Sequence, residues 1–392
     1  MKKYLFISML LSASCIYAQH PVLEQIERNN TVLSALRKQA AAEKEGNKTG
    51  IYPENPEVEF HYLRGNRPET GDRIDFSATQ RFDFPTAYYY RKKISGAQDR
   101  QVDLRYRIER KNILLEAQQI HIRLIYQSAL FREWEERLDH ARRTAQAYQA
   151  RFDQGDVSAV DLNKANFNLL NIQKEYDATL TEKEFLLSEL IRMNGGISLD
   201  EPFAELSPAM LPGDFEEWYA GQESKNFLLQ YLEGETGVSR EKEKLQRSLN
   251  LPKISAGYMS EKVLTEQFQG ITLGVSLPLW ENKNTVKRIK AQTLANRETE
   301  ADVRIRYRNE SEALYRKAVR LQKMANDFKQ NKQTDNTAAL LKKALDAGEI
   351  SLINYLLELG VYYDWANNRL ETERDLQLTV AELTQWELGV IN

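Results

Sequence analysis

Two stretches of this chain are written to one pattern. "GDVSAVDLNKANFNLLNIQKEYDATLTEKEFLLSEL" begins at Gly155, and "GEISLINYLLELGVYYDWANNRLETERDLQLTVAEL" begins at Gly348, 193 residues later, aligned without a gap. Gly155 pairs with Gly348, Asp156 with Glu349, Val157 with Ile350 and Ser158 with Ser351; Glu189 and Leu190 pair with Glu382 and Leu383 at the far end. A glycine can end a helix in the left-handed conformation, and a serine three residues on can cap the next helix. Each site therefore reads as the tip of a helical hairpin.

The duplication continues upstream. The segment from Asn55, with Pro56 and Pro85, matches the segment from Leu251, with Pro252 and Pro278. The offset changes by three residues in a Gly/Asn/Glu-rich middle, where a turn can vary in length. The repeating unit is strand, turn, strand, long helix, tip, helix, and it occurs twice. The first copy spans 19–194, with an N-terminal helix, strands near 57–64 and 74–84, and helices near 97–153 and 158–193. A Pro/Gly-rich linker follows over 195–218. The second copy runs to 392, with a helix near 215–248, strands near 253–260 and 270–279, and helices near 284–346 and 351–388.

The strands alternate with a period of two. Ile74, Phe76, Ala78, Phe82 and Phe84 share one face, interrupted by Gln80, while Asp75, Ser77, Thr79, Arg81 and Asp83 share the other. In the second copy Ile271, Leu273, Val275, Leu277 and Leu279 alternate with Thr272, Gly274, Ser276 and Pro278. Runs of about 10 residues match a tilted membrane-crossing strand. A soluble sandwich usually has more strands than four. Four strands cannot close a membrane barrel, whose smallest form has about eight, and open edges in lipid are costly. A barrel reading therefore requires several chains.

The helices follow a heptad rhythm. Ile113, Ala117, Ile120, Leu124, Gln127, Phe131, Trp134, Leu138, Ala141, Ala145, Tyr148 and Phe152 step alternately by four and three, as coiled-coil packing demands. Leu162, Ala165, Leu169, Ile172 and Tyr176 continue past the first tip, and Leu314, Ala318, Leu321, Ala325 and Phe328 repeat the rhythm in the second copy. No Pro or Gly interrupts 97–154 or 282–347. Such helices run roughly 80 to 100 Å.

Charge is balanced at −3, with no basic run of the density a nucleic-acid binder carries. Lys2 and Lys3, an apolar run from Tyr4 to Leu11 and small residues before Gln19 have the order of a secretory signal, with 1–18 removed after Ala18. A short buried helix is the other reading. Lipid attachment at Cys15 is an alternative, although Ser12 stands where a Leu-like residue is usual. Cys15 is the sole cysteine, so no disulfide framework is available. His20, His61, His121 and His140 lack metal-ligand spacing and read as solvated or interface residues. No catalytic or phosphate-loop motif is present, so neither an enzyme nor a cofactor is expected.

The repeated Gly-acid-apolar-Ser tips, together with "FDFPT" and "LPLW" at strand ends leading into long helices, resemble the TolC-type outer-membrane efflux proteins across nearly the whole mature chain. The resemblance implies a mixed, mostly α fold: long coiled-coil helices forming a periplasmic tunnel, and four strands per chain in a shared 12-stranded barrel of a homotrimer. It implies a passive exit duct in an outer membrane, partnered by a periplasmic adaptor and an inner-membrane pump. "FDFPT" leans toward the branch paired with heavy-metal RND pumps. Asp75, Ser77, Thr79, Arg81, Asp83, Thr272 and Ser276 would line the lumen. Tyr88, Tyr89 and Trp280 would sit at the lipid interface, with plain packing as the competing reading for each.

In that family acidic residues line a constriction at the tips. The acid six residues past the tip glycine is present as Asp161, but the second copy has Asn354, so the family's ring is incomplete. Asp156, Glu349 and Glu358 are substitute candidates beside Gly155 and Gly348; a ring of carboxylates would favour cations. Solvated helix ends are the alternative for Asp156 and Glu349. Secretion of proteins competes with efflux of small molecules or metals as the purpose of the duct. A periplasmic coiled-coil adaptor or scaffold is the alternative of another class, but it would lack duplicated lipid-faced strands.

Overall fold

A computed structural model describes residues 21–67, 69–200, 202–203, 208–330 and 337–389. The expected signal segment, Cys15 and His20 lie outside the described residues. The elements are α1 (Pro21–Asn29), α2 (Thr31–Asn47), β1 (Glu57–Leu63), β2 (Arg73–Phe82), α3 (Pro85–Asp153), α4 (Ala159–Met193), α5 (Phe215–Lys225), α6 (Phe227–Ser248), β3 (Lys253–Val263), β4 (Glu266–Ser276), α7 (Thr285–Gln330), α8 (Thr337–Asp346) and α9 (Leu352–Leu383), followed by a 3-10 turn at Gln385–Gly389.

The strand and terminal-helix boundaries shift by a few residues: β2 ends at Phe82 rather than 84, β3 runs on to Val263, β4 spans Glu266–Ser276 rather than 270–279, and α9 stops at Leu383 rather than 388. The other helices differ from the sequence expectation in four places. α3 begins at Pro85 and runs 69 residues, not from 97. Pro85 takes the first helical position, where its missing N–H costs nothing, and Gly96 is tolerated inside the helix. The single helix expected at 215–248 breaks at Asn226, whose side chain accepts from the Leu228 and Leu229 amides at 2.9 and 3.2 Å. The N-terminal helix likewise breaks at Asn30, whose side chain accepts from the Leu33 amide at 2.9 Å. The helix expected over 284–346 is described as α7 and α8, and 331–336 lies outside the described residues.

The chain divides into two compact units, each assembled from three stretches of sequence. The first takes the described parts of 1–34, 113–211 and 316–383. Its core follows the heptads. Ala117, Ile120 and Leu124 of α3 pack with Val22 and Ile26 of α1 and Leu186, Leu190 and Met193 of α4. Farther along, Leu138 and Ala141 meet Ile172. Near both tips, Ala145 and Tyr148 pack with Leu162, Ala165, Leu345, Leu352, Tyr355 and Leu359. Two heptad positions depart from the rhythm: Phe152, the last, is exposed, and Gln127 buries its Oε1 without a partner. Within the linker, Ala209 and Leu211 rest on Ala318, Leu321, Leu376 and Val380.

The second unit takes 35–112, 212–315 and the described part of 384–392. It holds the sheet, in the antiparallel order β1-β2-β3-β4. β3 and β4 turn through two residues, with Leu264 at φ 54. Around the C-terminal turn, Trp386 meets Phe227 and Tyr307 edge-on at 6.3 and 6.4 Å, and the Lys111 ammonium lies 4.4 Å from its ring centre.

Candidate functional site: sheet faces and hairpin tips

In an antiparallel ladder, directly opposed residues share a face. The register therefore sorts every strand residue. Phe82, Ile254 and Val275 lie in one row, Gln80, Ala256 and Leu273 in the next, then Val58, Ala78, Tyr258 and Ile271, then Phe60, Phe76, Ser260 and Gln269. This face is apolar over three rows apart from Gln80, mixed in the fourth, where Ser260 and Gln269 join Phe60 and Phe76, and more polar at the fifth, where Lys262 and Gln267 join Tyr62 and Ile74. The face is bare: Ile271 is 83% exposed and Leu273 80%. Large aliphatic side chains in a continuous exposed band mark a surface that meets something other than water.

The opposite face carries Glu57, Thr79, Gly257 and Thr272 in one row, Glu59, Ser77, Met259 and Gly270 in the next, and His61, Asp75, Glu261 and Phe268 in a third, so it is mostly polar with Met259 and Phe268 as its apolar members. Arg81 pairs with Ser255, and Lys253 with Ser276. Six of the seven polar candidates (Asp75, Ser77, Thr79, Arg81, Thr272 and Ser276) thus fall on one face. Arg73 ties it together, with Nε 2.8 Å from Asp75 and 3.3 Å from Glu261, and Arg81 sits 3.0 Å from Glu57. Asp83 lies one residue past β2. Its amide donates to the Tyr88 hydroxyl at 2.9 Å, and its carboxylate holds Arg91 at 2.5 Å. It joins strand to helix. Tyr88 is locked into that junction, with Arg91 over its ring at 5.3 Å, whereas Tyr89 and Trp280 are exposed.

The two tips are built identically. After α3 the Gly155 amide donates to the Phe152 carbonyl and the Asp156 amide to that of Arg151, both at 2.9 Å. After α8 the Gly348 amide donates to Leu345 at 3.1 Å and the Glu349 amide to Ala344 at 2.9 Å. Both are Schellman closures, with φ of 79° at Gly155 and 73° at Gly348. Ser158 then accepts from the Asp161 amide at 3.2 Å, and Ser351 from the Asn354 amide at 3.3 Å. Val157 and Ile350 turn inward onto the same apolar cluster. The four repeated residues thus serve in turn as helix stop, exposed acid, apolar anchor and cap.

The acids fare differently. Asp161 is engaged by the Ser158 hydroxyl at 2.8 Å and Lys164 at 3.3 Å, which hold its carboxyl below the usual range. Asn354 takes the equivalent position without a charge. Asp156, Glu349, Asn354 and Glu358 are exposed. Glu358 stands one turn beyond Asn354 on a face of α9 that also bares Ile353, Leu357 and Val361.

Two groups escape a sequence reading. Arg137 is buried between the rings of Trp134 and Tyr363, 4.5 and 4.2 Å away, and donates to Asn367 Oδ1 at 3.0 Å. His140 bonds the hydroxyl of Tyr355, 2.9 Å from its Nε2. Both sit at heptad flanks, and Tyr363, Asn367 and Tyr355 lie more than 200 residues away in sequence, so no local pattern announces these contacts. Among the described residues no cluster of three or more His, Cys, Asp or Glu is arranged to hold a metal, and no helix is long and apolar enough to cross a membrane.

No protein-family model matches the sequence, and no curated protein matches it. Solved structures do. The outer membrane channel CmeC of Campylobacter jejuni is 14% identical, with a TM-score of 0.76 over 94% of this chain and 85% of that one. CusC, described for conformational changes accompanying folding and transmembrane channel formation, is 12% identical, with a TM-score of 0.75 over 93% and 90%. The outer membrane protein VceC of Vibrio cholerae is 11% identical, with a TM-score of 0.72 over 94% of both chains. The bare apolar sheet face, the paired tips and these likenesses agree: the chain has the fold of the TolC-type outer-membrane channels.

Proposed function

We propose that three copies of this chain form a passive channel through an outer membrane. The single observation that carries the reading is the four-stranded sheet, which bares an apolar band on one face, a polar row on the other and two unpaired edges, β1 and β4. Unpaired backbone in lipid costs several kcal/mol per group, so the edges must meet other copies. Three copies give 12 strands, enough for a closed barrel with a polar interior. The long helices then continue the duct below the membrane. The exposed helix face at Ile353, Leu357 and Val361 supports assembly, because neighbouring copies would cover it.

In this reading the channel is the exit duct of a tripartite system. It exports small molecules or metal ions delivered by an RND-type inner-membrane pump through a periplasmic adaptor docked at the tips. The chain supplies no chemistry of its own; it supplies a polar path and a closure. The test is purification in detergent, with the mass of the protein component and planar-bilayer conductance measured on one preparation. A trimer that conducts supports the proposal. A water-soluble monomer that leaves bilayers intact overturns it.

A further inference from the structure

The two ends of the sheet differ in charge. At the loop end, segments 63–73 and 261–267 hold four Lys or Arg and four Asp or Glu. At the other end the strands join α2, α3, α6 and α7. These joints, taken as 48–57, 83–93, 240–253 and 277–290, hold 13 Lys or Arg against six Asp or Glu. A net charge of +7 thus gathers at one end of the sheet, in a chain whose formal charge is −3. The joints are tied to one another. Asn282 donates to the Leu249 carbonyl and accepts from Gln246, both at 2.9 Å, and Lys93 of α3 pairs with Glu241 of α6 at 3.1 Å.

The carboxylates of this end are already engaged. Asp83 holds Arg91, Glu57 holds Arg81, Glu241 holds Lys93 and Lys244, Glu243 holds Arg247, and Glu281 holds Lys253. Lys92, Arg240, Lys242, Lys283, Lys287 and Arg288 remain exposed, and among the described residues none of these side chains has an ion-pair or hydrogen-bond partner. Counted along their helices, Lys92 and Lys242 lie about 10 Å from the sheet ends of α3 and α6, and Lys287 and Arg288 within about 5 Å of that of α7. A headgroup layer reaches about 5 to 8 Å beyond the apolar core of a bilayer, and its field extends about 8 Å farther at physiological salt. In sequence, exposed Tyr89 and Trp280 separate the apolar strands from Lys92 and Lys283, and amphipathic rings suit that border.

We propose that these cations form a belt that binds the headgroups of anionic phospholipids in the leaflet facing the helices. The belt rests on the channel reading, because a sheet seated in lipid is what brings the joints to a headgroup layer. Mobile phosphodiester groups with net negative charge satisfy guanidinium and ammonium groups that no carboxylate of the chain reaches. The long Lys and Arg stems lie along apolar surface while their heads stay in the polar layer. Each such cation near an anionic surface favours it about fivefold. The neutral loop end offers no matching attraction, so the preference belongs to one leaflet. Closure by three copies would make the belt continuous around the barrel.

The test reconstitutes the full chain in phosphatidylcholine vesicles containing a trace of spin-labelled phosphatidylglycerol or spin-labelled phosphatidylcholine. The motionally restricted fraction of each probe gives their relative association with the protein. Wild type should favour phosphatidylglycerol at least about threefold at low salt, and the ratio should fall toward unity in about 0.5 M salt as screening shortens the reach of the cations. The combined variant Lys92→Gln, Lys242→Gln, Lys283→Gln, Lys287→Gln and Arg288→Gln should lose the preference. Arg64→Gln with Lys262→Gln, at the loop end, should keep it. Equal association of the two probes with wild type, the result expected if these cations line the duct instead, overturns the belt. So does an undiminished preference in the combined variant. Conductance measured on the same vesicles separates the two readings. A conducting channel with no lipid preference removes the belt alone, a salt-sensitive preference without conductance keeps the lipid contact and removes the channel, and a chain that restricts neither probe removes both.

Discussion

Replacing Leu273 by arginine distinguishes a lipid-facing sheet from a water-facing one, because the two predict costs of very different size. Leu273 sits within the apolar row of β4, between Ile271 and Val275, with Leu277 and Leu279 continuing beyond the strand. At about 3.4 Å per residue the 11 residues of β4 run about 34 Å, and tilted by about 40° they cross about 26 Å, close to the apolar band of about 25 Å in a membrane barrel. Leu273 lies inside that band, where an arginine costs about 2 to 4 kcal/mol per chain, or about 6 to 12 kcal/mol for three chains closing one barrel. In water the same replacement removes an 80% exposed leucine and stays within about 0.5 kcal/mol of neutral. Thr272→Arg is the internal control: it is adjacent in sequence but opposite in face, and its row contains Glu57. The assay is urea unfolding of protein refolded into liposomes, together with the fraction recovered in the outer-membrane pellet on expression. Leu273→Arg should lose most of its membrane-inserted form while Thr272→Arg keeps it. Equal tolerance of the two substitutions would refute the assignment of faces.

Other outcomes follow from the tips and from the core of unit two. Gly155→Ala and Gly348→Ala should each cost about 1 to 2 kcal/mol in denaturant unfolding, because both φ angles are positive while an added Cβ meets nothing within 4 Å; Gly46→Ala in α2, equally roomy but at an ordinary φ, should be neutral or stabilising. Burial lowers Lys111 to about 8 from its ordinary 10.5, so between those pH values the unfolded chain binds a proton that the folded chain has released. Stability should therefore rise with pH across that window and level off below it, and Lys111→Met should flatten the slope in a pH series of chemical unfolding curves. The triple change Asp156→Asn, Glu349→Gln and Glu358→Gln should reduce cation over anion permeability in reversal-potential measurements, and an unchanged ratio would remove these three from the gate.

What the sequence discloses is whatever depends on near neighbours. The heptad from Ile113 to Tyr148 describes the buried seam of α3 because coiled-coil burial repeats within two turns. The alternation in β2 and β4 assigns faces because a strand's period is two residues. The tips are legible for the same reason: stop, anchor and cap lie within four letters. Contacts made across the chain stay hidden. The pairing of β2 with β3 joins residues 172 to 190 apart, and nothing in either strand states the register. The wedge of Arg137 between Trp134 and Tyr363 looks in sequence like one more surface charge. The breaks at Asn30 and Asn226 are equally hidden, because an asparagine that caps a new helix and an asparagine inside a polar stretch read alike until the backbone is seen. Helix α3 outruns its expected start because one glycine, Gly96, reads as punctuation where 69 residues of helix absorb its cost.

The matching Schellman closures at Gly155 and Gly348 carry a consequence for stoichiometry. Three copies of the chain would present six seats of equal backbone geometry, yet the charge pattern, with Asp161 at one kind of seat and Asn354 at the other, repeats only three times. A partner that grips the shared main-chain shape finds twice as many berths as one that reads the side chains, so its copy number reports which of the two it recognises.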